Sequence, residues 1–357
     1  MILSVVGARP QFIKLFPVSV QFEKRGIEHI VIHSGQHYDW NMSALFFEKL
    51  PLPEPAINLE VGSGNFGGQT GKIMVRLAEQ LCKLNPSVVI CYGDTNTTLG
   101  TALVSRRLGY PLAHIEAGLR AFYKYMPEEQ NRIVADHLAD LLFAPTPSAI
   151  NNLRKEGISD DKVFYVGDVM TESLRSIIPI AEKNSDILQK LDLKPNQYIL
   201  LTIHRQENTN RPETFYRIFK AISKIGEKVI FPVHPRSRKK LTQWQMIDKM
   251  PDNITMIDPV GYADILMLEK NARIIFTDSG GMQKEALLLD TPCLTLRDRT
   301  EWLETLEVGA NVLVGTDSSK IVAEYKNMKD RKGFRIPECF KLKASELIAD
   351  VIQRKYD

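Results

Sequence analysis

Short apolar runs recur along the chain, each closed by glycine or polar residues and followed by a stretch of helical spacing. Residues 2–6 form such a run, closed by Gly7-Ala8-Arg9-Pro10, after which Phe12, Ile13, Phe16 and Val20 mark one face of a helix. Pro10 suits the first helical position, and Pro17 predicts a kink farther on. The pattern repeats with a strand at 29–34 that meets Gly35-Gln36-His37, and a helix at 41–50 that stops at Pro51. An amphipathic helix within 65–86 (Ile73, Val75, Leu77, Leu81, Leu84) leads to a strand at 87–92 and the turn Gly93-Asp94-Thr95. Strands at 112–115, 141–144 and 163–166 follow, with a helix opening at Pro127 between the first two. Strands alternating with helices predict a parallel, doubly wound sheet.

A second set begins after a helix near 169–190 and the polar stretch 192–197. Its strands, at 198–203, 228–233, 254–257, 273–277, 293–296 and 311–314, mostly hand over to polar residues: His204-Arg205, His234-Pro235-Arg236, Asp258-Pro259 and Asp278-Ser279-Gly280-Gly281. An amphipathic helix occupies 341–356. The expected organisation is α/β, with two Rossmann-like doubly wound domains over 1–168 and 169–338 and a terminal helix in 339–357.

Composition narrows the picture without redirecting it. A chain of 357 residues with 44% hydrophobic content fits about two ordinary domains with a core each. Lys+Arg 46 against Asp+Glu 43 leaves a net charge of +3 with no basic run, so no nucleic-acid partner is expected. Cys82, Cys91, Cys293 and Cys339 are scattered, as reduced thiols of a cytoplasmic protein would be, and outline no disulfide framework. MILSVVGARP carries no basic stretch or small-residue cleavage site, so no leader is expected, and no apolar run approaches the ~20 residues of a membrane span.

The candidate chemistry lies at the carboxyl ends of the strands. The Ser279 hydroxyl and the amides of Gly280 and Gly281 open a helix at the positive end of its dipole, where a phosphate fits; the same residues equally describe an ordinary turn with Ser279 as N-cap. Glu285 lies along the same helix, within reach of a sugar hydroxyl. Arg9 and Lys14 fall in the first turns after strand one, where open α/β sheets bind ligands. Asp94, Glu116 and Glu128 stand at comparable places; Asp94 also suits a helix cap and Glu128 a first-turn acid. His204 reads either as a general acid/base or as a structural histidine. A phosphate held by one domain and carboxylates on the other suit bond making or breaking beside a phosphorylated leaving group. Gly35 separates His33 from His37 and no other His/Cys spacing fits zinc, so no metal is expected. The first turn, GARPQF, lacks the G-x-G-x-x-G glycines, so the sequence gives no support to NAD and no cofactor is expected.

Eight motifs carry a resemblance: GARPQFIK at 7–14, GQHYDWNM at 35–42, GDTNTT at 93–98, HIEAGLR at 114–120, MPEEQNR at 126–132, HRQEN at 204–208, PVHPR at 232–236 and TDSGGMQKEA at 277–286. Together, and in register from residue 1 to about 315, they resemble the non-hydrolysing UDP-N-acetylglucosamine 2-epimerases. The resemblance implies a glycosyltransferase-B arrangement with the terminal helix crossing back to the N-terminal domain, and a homodimer. It implies inversion at C2 of a UDP-N-acetylhexosamine through loss of the C2 proton, elimination of UDP to a glycal, and re-addition. By position Ser279, Gly280 and Gly281 would hold the diphosphate and Glu285 the ribose. Arg9 and Lys14 would neutralise the leaving phosphates, Asp94, Glu116 and Glu128 would supply acid/base and sugar contacts, and His204 would assist departure. Gln36, Glu128, Arg205 and His234 match a second, activating UDP-sugar site of some members, although Gly68 stands where those carry arginine. Thr300-Glu301-Trp302-Leu303-Glu304 replaces the commoner Thr-Glu-Arg-Pro-Glu, and with Gly7-Ala8-Arg9-Pro10-Gln11, Lys284 and Gly167-Asp168-Val169-Met170 it is similar to the subgroup acting on UDP-2,3-diacetamido-2,3-dideoxy-glucuronate. Plain UDP-N-acetylglucosamine is the expected substrate, with the diacetamido-uronate second.

Overall fold

A computed structural model describes residues 1–35 and 54–356, in two compact units: Met1–Arg175 with Glu338–Asp357, and Ser176–Pro337. In chain order the first unit contains β1 (Ile2–Val6), α1 (Arg9–Lys24), β2 (His29–His33), β3 (Ile57–Asn58), α2 (Phe66–Leu84), β4 (Val88–Tyr92), α3 (Asn96–Leu108), β5 (Leu112–Ile115), α4 (Pro127–Leu138), β6 (Leu141–Ala144), α5 (Pro147–Lys155) and β7 (Val163–Tyr165). Helix α6 (Val169–Asn184) crosses the boundary at Arg175. The second unit continues with α7 (Ile187–Lys190), β8 (Ile199–Thr202), α8 (Gln206–Thr209), α9 (Pro212–Ile225), β9 (Val229–Pro232), α10 (Pro235–Gln243), β10 (Ile254–Ile257), α11 (Tyr262–Asn271), β11 (Ile274–Thr277), α12 (Gly280–Leu288), β12 (Cys293–Thr295), α13 (Leu303–Glu307), β13 (Asn311–Leu313) and α14 (Ser318–Met328). Helix α15 (Ala344–Tyr356) belongs to the first unit.

Each unit is one parallel sheet, ordered β3-β2-β1-β4-β5-β6-β7 in the first and β10-β9-β8-β11-β12-β13 in the second. Both orders turn back at one point, between β1 and β4 and between β8 and β11, and such switch points leave a crevice beyond the carboxyl ends of the strands. The central strands are buried on both faces, which is why their sequences are unbroken apolar runs. In β8, Ile199 and Leu201 enter one core with Phe215, Phe231 and Phe276, while Leu200 enters the other with Tyr198 and Ala286.

Local sequence explains the helix ends. Asn65, Thr95, Thr146 and Ser279 each accept a backbone N–H with the side chain, capping α2, α3, α5 and α12. Thr95 rather than Asp94 is therefore the cap of α3. Pro17 lies inside α1, which continues past it to Lys24. Val75, grouped above with the apolar face of α2, is exposed, whereas Ile73, Leu77 and Leu81 are fully buried. The expected helix at 41–50 lies outside the described residues. Cys91, Cys293 and Cys339 are buried, Cys82 is exposed, and all four are free thiols. Among the described residues no helix is long and apolar enough to cross a membrane.

Helix α15 is fastened to the first unit by polar as well as apolar contacts. Arg25 at the end of α1 donates to Asp350 at 2.6 Å and to the Glu346 carbonyl at 3.3 Å. The Glu172 carboxylate accepts the Ser345 amide at 2.8 Å and the Ser345 hydroxyl at 2.5 Å, while Ala344, Ile348 and Ile352 are buried.

Candidate functional site

In the first unit the switch-point strands deliver charge. Lys14, in the second turn of α1, is buried and meets Glu116 at 2.5 Å, a contact in which both side chains are under 10% exposed. Taking two charges out of water is tolerable only when they neutralise each other this closely. Both stand over Gly93 at the end of β4: a Cβ there would lie 2.8 Å from Lys14 Nζ and 3.5 Å from Glu116 Oε1. Gly93 has φ +61°, and Glu116 itself has φ 74°, a left-handed backbone that costs a residue with a Cβ about 1–2 kcal/mol. Such strain persists where the surroundings over-determine it, and here the Glu116 amide donates to the Phe143 carbonyl at 3.2 Å.

Asp94 follows Gly93 and is ion-paired to Arg132 of α4, whose other terminal nitrogen reaches Glu129 at 3.2 Å. Asn131 donates to the Asp94 carbonyl at 2.9 Å. Glu129 in turn accepts the amides of Ala121 and Phe122. Glu129, Arg132 and Asp136 recur at helical spacing, so α4 turns a buried charged face toward the turns that carry Asp94 and Glu116. Glu128 stands in the first turn of the same helix, one turn before Arg132, and is half-buried. Arg9 is the first residue of α1, also half-buried.

In the second unit the corresponding turns use backbone more than side chains. Asp278, fully buried after β11, accepts the amides of His204 and Arg205 and the Asn208 side-chain amide, each at 3.0 Å. Its carboxylate lies 3.1 Å from His204 Nδ1. Burial alone would raise the Asp278 pKa, but His204 and these hydrogen bonds outweigh it and hold the group at about 2. The contact fixes His204 by its Nδ1 side, and the ring, about a third exposed, lies 5.5 Å from that of His234.

Ser279 then caps α12, its hydroxyl accepting the Met282 amide at 3.5 Å, and Gly280 and Gly281 form the first turn. A Cβ on Gly280 would come within 2.6 Å of Glu301 Oε1, so the turn 300–304 packs directly against the start of the helix. Glu301 is neutralised by Arg297 at 3.1 Å and Arg205 at 3.8 Å, and Arg297 also reaches Glu207 at 2.8 Å. Trp302 is buried under Lys284, whose ammonium sits 3.6 Å from the ring centroid. Glu285 accepts the Tyr262 hydroxyl at 2.5 Å.

The structure thus brings Lys14, Asp94 and Glu116 together around Gly93, and gathers His204, Arg205, His234 and Ser279 to Gly281 around Asp278 and the start of α12. Gln36 lies outside the described residues. Sequence reasoning passes over Asp278, Arg132 and His114. Arg132 has a signal, an arginine three residues after Glu129 on an otherwise amphipathic helix; Asp278 has none beyond its turn, because its donors lie some seventy positions upstream. Among the described residues no three His, Cys, Asp or Glu side chains are grouped so as to hold a metal ion.

A family model described as UDP-N-acetylglucosamine 2-epimerase matches residues 21–353. The UDP-N-acetylglucosamine 2-epimerase of Methanocaldococcus jannaschii is 46% identical over 336 residues, 92% of each chain. The UDP-2,3-diacetamido-2,3-dideoxy-D-glucuronate 2-epimerase of Pseudomonas aeruginosa is 42% identical over 332 residues, 90% of each. Among solved structures, the Methanocaldococcus jannaschii UDP-GlcNAc 2-epimerase in complex with UDP-GlcNAc and UDP superposes with a TM-score of 0.93 at 44% identity, covering 99% of this chain and 100% of that one.

Proposed function

Since the chain belongs to the UDP-N-acetylglucosamine 2-epimerase family, we propose that it interconverts UDP-N-acetylglucosamine and UDP-N-acetylmannosamine by inversion at C2. The observation that carries this reading is the buried Lys14–Glu116 pair beside Asp94, which gathers two carboxylates and a cation at one switch point. In the reaction the C2–H bond breaks, its electron pair becomes the C1=C2 bond of the glycal, and the C1–O bond breaks with its electrons leaving on UDP. Return of UDP to C1 and of a proton to the opposite face of C2 gives the epimer. Asp94, Glu116 and Glu128 are assigned the proton transfers and sugar contacts, Asp94 and Glu116 each beside a paired cation and Glu128 at a helix start. Lys14 and Arg9 are assigned to the negative charge that grows on the leaving diphosphate.

Ser279, Gly280 and Gly281 are assigned to the diphosphate through the first amides of α12, and Glu285, oriented by Tyr262, to the ribose hydroxyls. His204, steadied by Asp278, is assigned to help UDP depart. Arg205 and His234, with Gln36, are assigned to a second UDP-sugar contact of regulatory kind. On the same reading the protein is a cytoplasmic homodimer, and sedimentation tests the oligomeric state.

Incubation with UDP-N-acetylglucosamine in deuterated water tests the reaction. Deuterium at C2 together with UDP-N-acetylmannosamine supports it. Absence of C2 exchange with this sugar, while UDP-2,3-diacetamido-2,3-dideoxy-glucuronate exchanges, would transfer the reading to that substrate. Net release of free UDP and N-acetylmannosamine would instead indicate a hydrolysing enzyme, and UDP-sugar binding without turnover a nucleotide-sugar-binding protein.

A further inference from the structure

His114 and Asp136 have no place in the proton transfers assigned above, yet they are among the most completely enclosed polar groups of the first unit. We propose that this pair is a positioning element, setting the turns that carry Asp94 and Glu116 in register for the C2 chemistry; the proposal rests on the epimerase reading.

His114 lies in β5 between Ala113 and Ile115, where an aliphatic residue would fill the same space without needing a partner. Instead its Nε2 faces the Gly93 carbonyl at 2.7 Å and its Nδ1 faces Asp136 Oδ1 at 2.7 Å. Both partners are oxygen atoms, so the two ring nitrogens are each spent on a fixed contact and the ring can neither rotate nor shift without losing one of them. The next residue of β5 completes the grip: the Gly93 amide donates to the Ile115 carbonyl at 2.9 Å. Gly93 is thus held at its N–H and its C=O by consecutive residues of one strand, immediately before Asp94 and beside Glu116. Gly93 adopts its left-handed backbone freely and so does not fix it by itself, while Glu116 adopts one that its side chain disfavours; both therefore depend on such external fixing.

Asp136 extends the hold past Glu116. Its second oxygen accepts the Gly118 amide at 3.0 Å and Arg120 at 2.7 Å, and Arg120 is anchored in turn by two 2.7 Å contacts to Glu156. Gly118 is locked as well, since a Cβ there would lie 2.5 Å from the Ala149 carbonyl oxygen. Asp136 also shares the buried face of α4 with Arg132, the partner of Asp94. One carboxylate therefore ties together the helix, the end of β5 and the turn after Glu116. Burial would raise its pKa, but His114 and Arg120 together keep it below the usual range.

The test compares two replacements in the full chain that each keep half of the histidine's function. The side-chain amide of a glutamine at this position reaches the place of Nε2, and that of an asparagine the place of Nδ1. His114→Gln therefore retains the bond to Gly93, and His114→Asn retains only that to Asp136. His114→Asn is expected to lower kcat about 10²-fold, the scale of an ångström-sized misplacement, with KM within about threefold. It also accelerates hydrogen exchange at the Gly93 amide, while His114→Gln recovers about tenfold of the lost kcat and keeps that amide protected. Asp136→Asn, nearly isosteric, gives the same kcat-selective loss and serves if His114→Asn is too unstable to purify. Wild-type kcat in His114→Asn, or equal losses in both replacements that track thermal stability, would overturn the proposal. A wild-type protein that turns over no UDP-sugar would overturn the epimerase reading instead, and the Gly93 exchange pattern would still decide whether the clamp exists.

Discussion

The two switch-point turns solve opposite problems. Around Gly93 the working groups proposed for the proton transfers are side chains, Lys14 against Glu116 and Asp94 against Arg132, and each of these buried or half-buried charges has a partner of opposite sign. Around Asp278 the working groups proposed for the phosphate are backbone amides, and the fully buried Asp278 carboxylate is turned inward, holding the amides of His204 and Arg205. Chemistry that must move a proton needs side chains that change charge, and these must be balanced pair by pair. A phosphate seat needs only fixed dipoles, which no substitution short of proline deletes. The first turn is therefore vulnerable to loss of a partner, and the second to loss of space or scaffold.

The largest expected effect breaks a pair in the first turn. Glu116→Gln should reduce kcat by about 10³-fold, within the range of general acid–base contributions. It should also destabilise the protein by about 3 kcal/mol, because Lys14 is left as an uncompensated buried charge. Adding Lys14→Met restores most of the stability in urea unfolding but none of the turnover, which separates pairing from chemistry. Recovery of turnover in the double variant would refute the role assigned to both.

Filling space in the second turn should come next. Gly280→Ala puts a Cβ against Glu301 and is expected to weaken UDP binding about 10²-fold by calorimetry, with the fold intact. Unchanged UDP affinity would mean that the diphosphate sits elsewhere.

Removing the scaffold follows. The Asp278 pKa is lowered from 3.8 to about 2, so its contribution to stability is fully present above about pH 4 and is lost as pH falls through 2. The shift corresponds to about 2 kcal/mol. Asp278→Asn should flatten this part of the acid limb in unfolding measured from pH 5 to pH 2, and a limb identical to that of the wild type would contradict the assignment. The smallest effect is expected for Tyr262→Phe. Loss of the hydrogen bond that orients Glu285 should raise KM by no more than about tenfold at nearly constant kcat, in line with one hydrogen bond to a charged group.

Much of the fold can be read directly because the strands are covered on both faces and stand out as apolar runs. The strands expected at 112–115, 141–144 and 254–257 have those bounds in the structure, as Leu112–Ile115, Leu141–Ala144 and Ile254–Ile257. Ile57–Asn58 escapes such reading because two residues at a sheet edge carry no periodicity. In the candidate site, Glu116 is visible as an acid stranded after an apolar strand, but its left-handed backbone is not, since nothing local favours it. His114 hides in the run LAHI, where one polar residue reads as strand filler. Asp278 is visible only as a turn residue, because its meaning comes from donors brought to it by a different strand.

The return of α15 to the first unit has a consequence for synthesis on the ribosome. Residues of α15 complete the surface of α1 and satisfy Glu172, yet the whole of Ser176–Pro337 is translated before them. At ordinary elongation rates that interval is roughly 10–30 s. The unit translated first is thus completed only after the second, and a nascent chain carries an exposed seam along α1 until α15 has emerged. Stop codons shortly before Ala344 should consequently yield a protein whose second unit is protease-resistant and whose first is not.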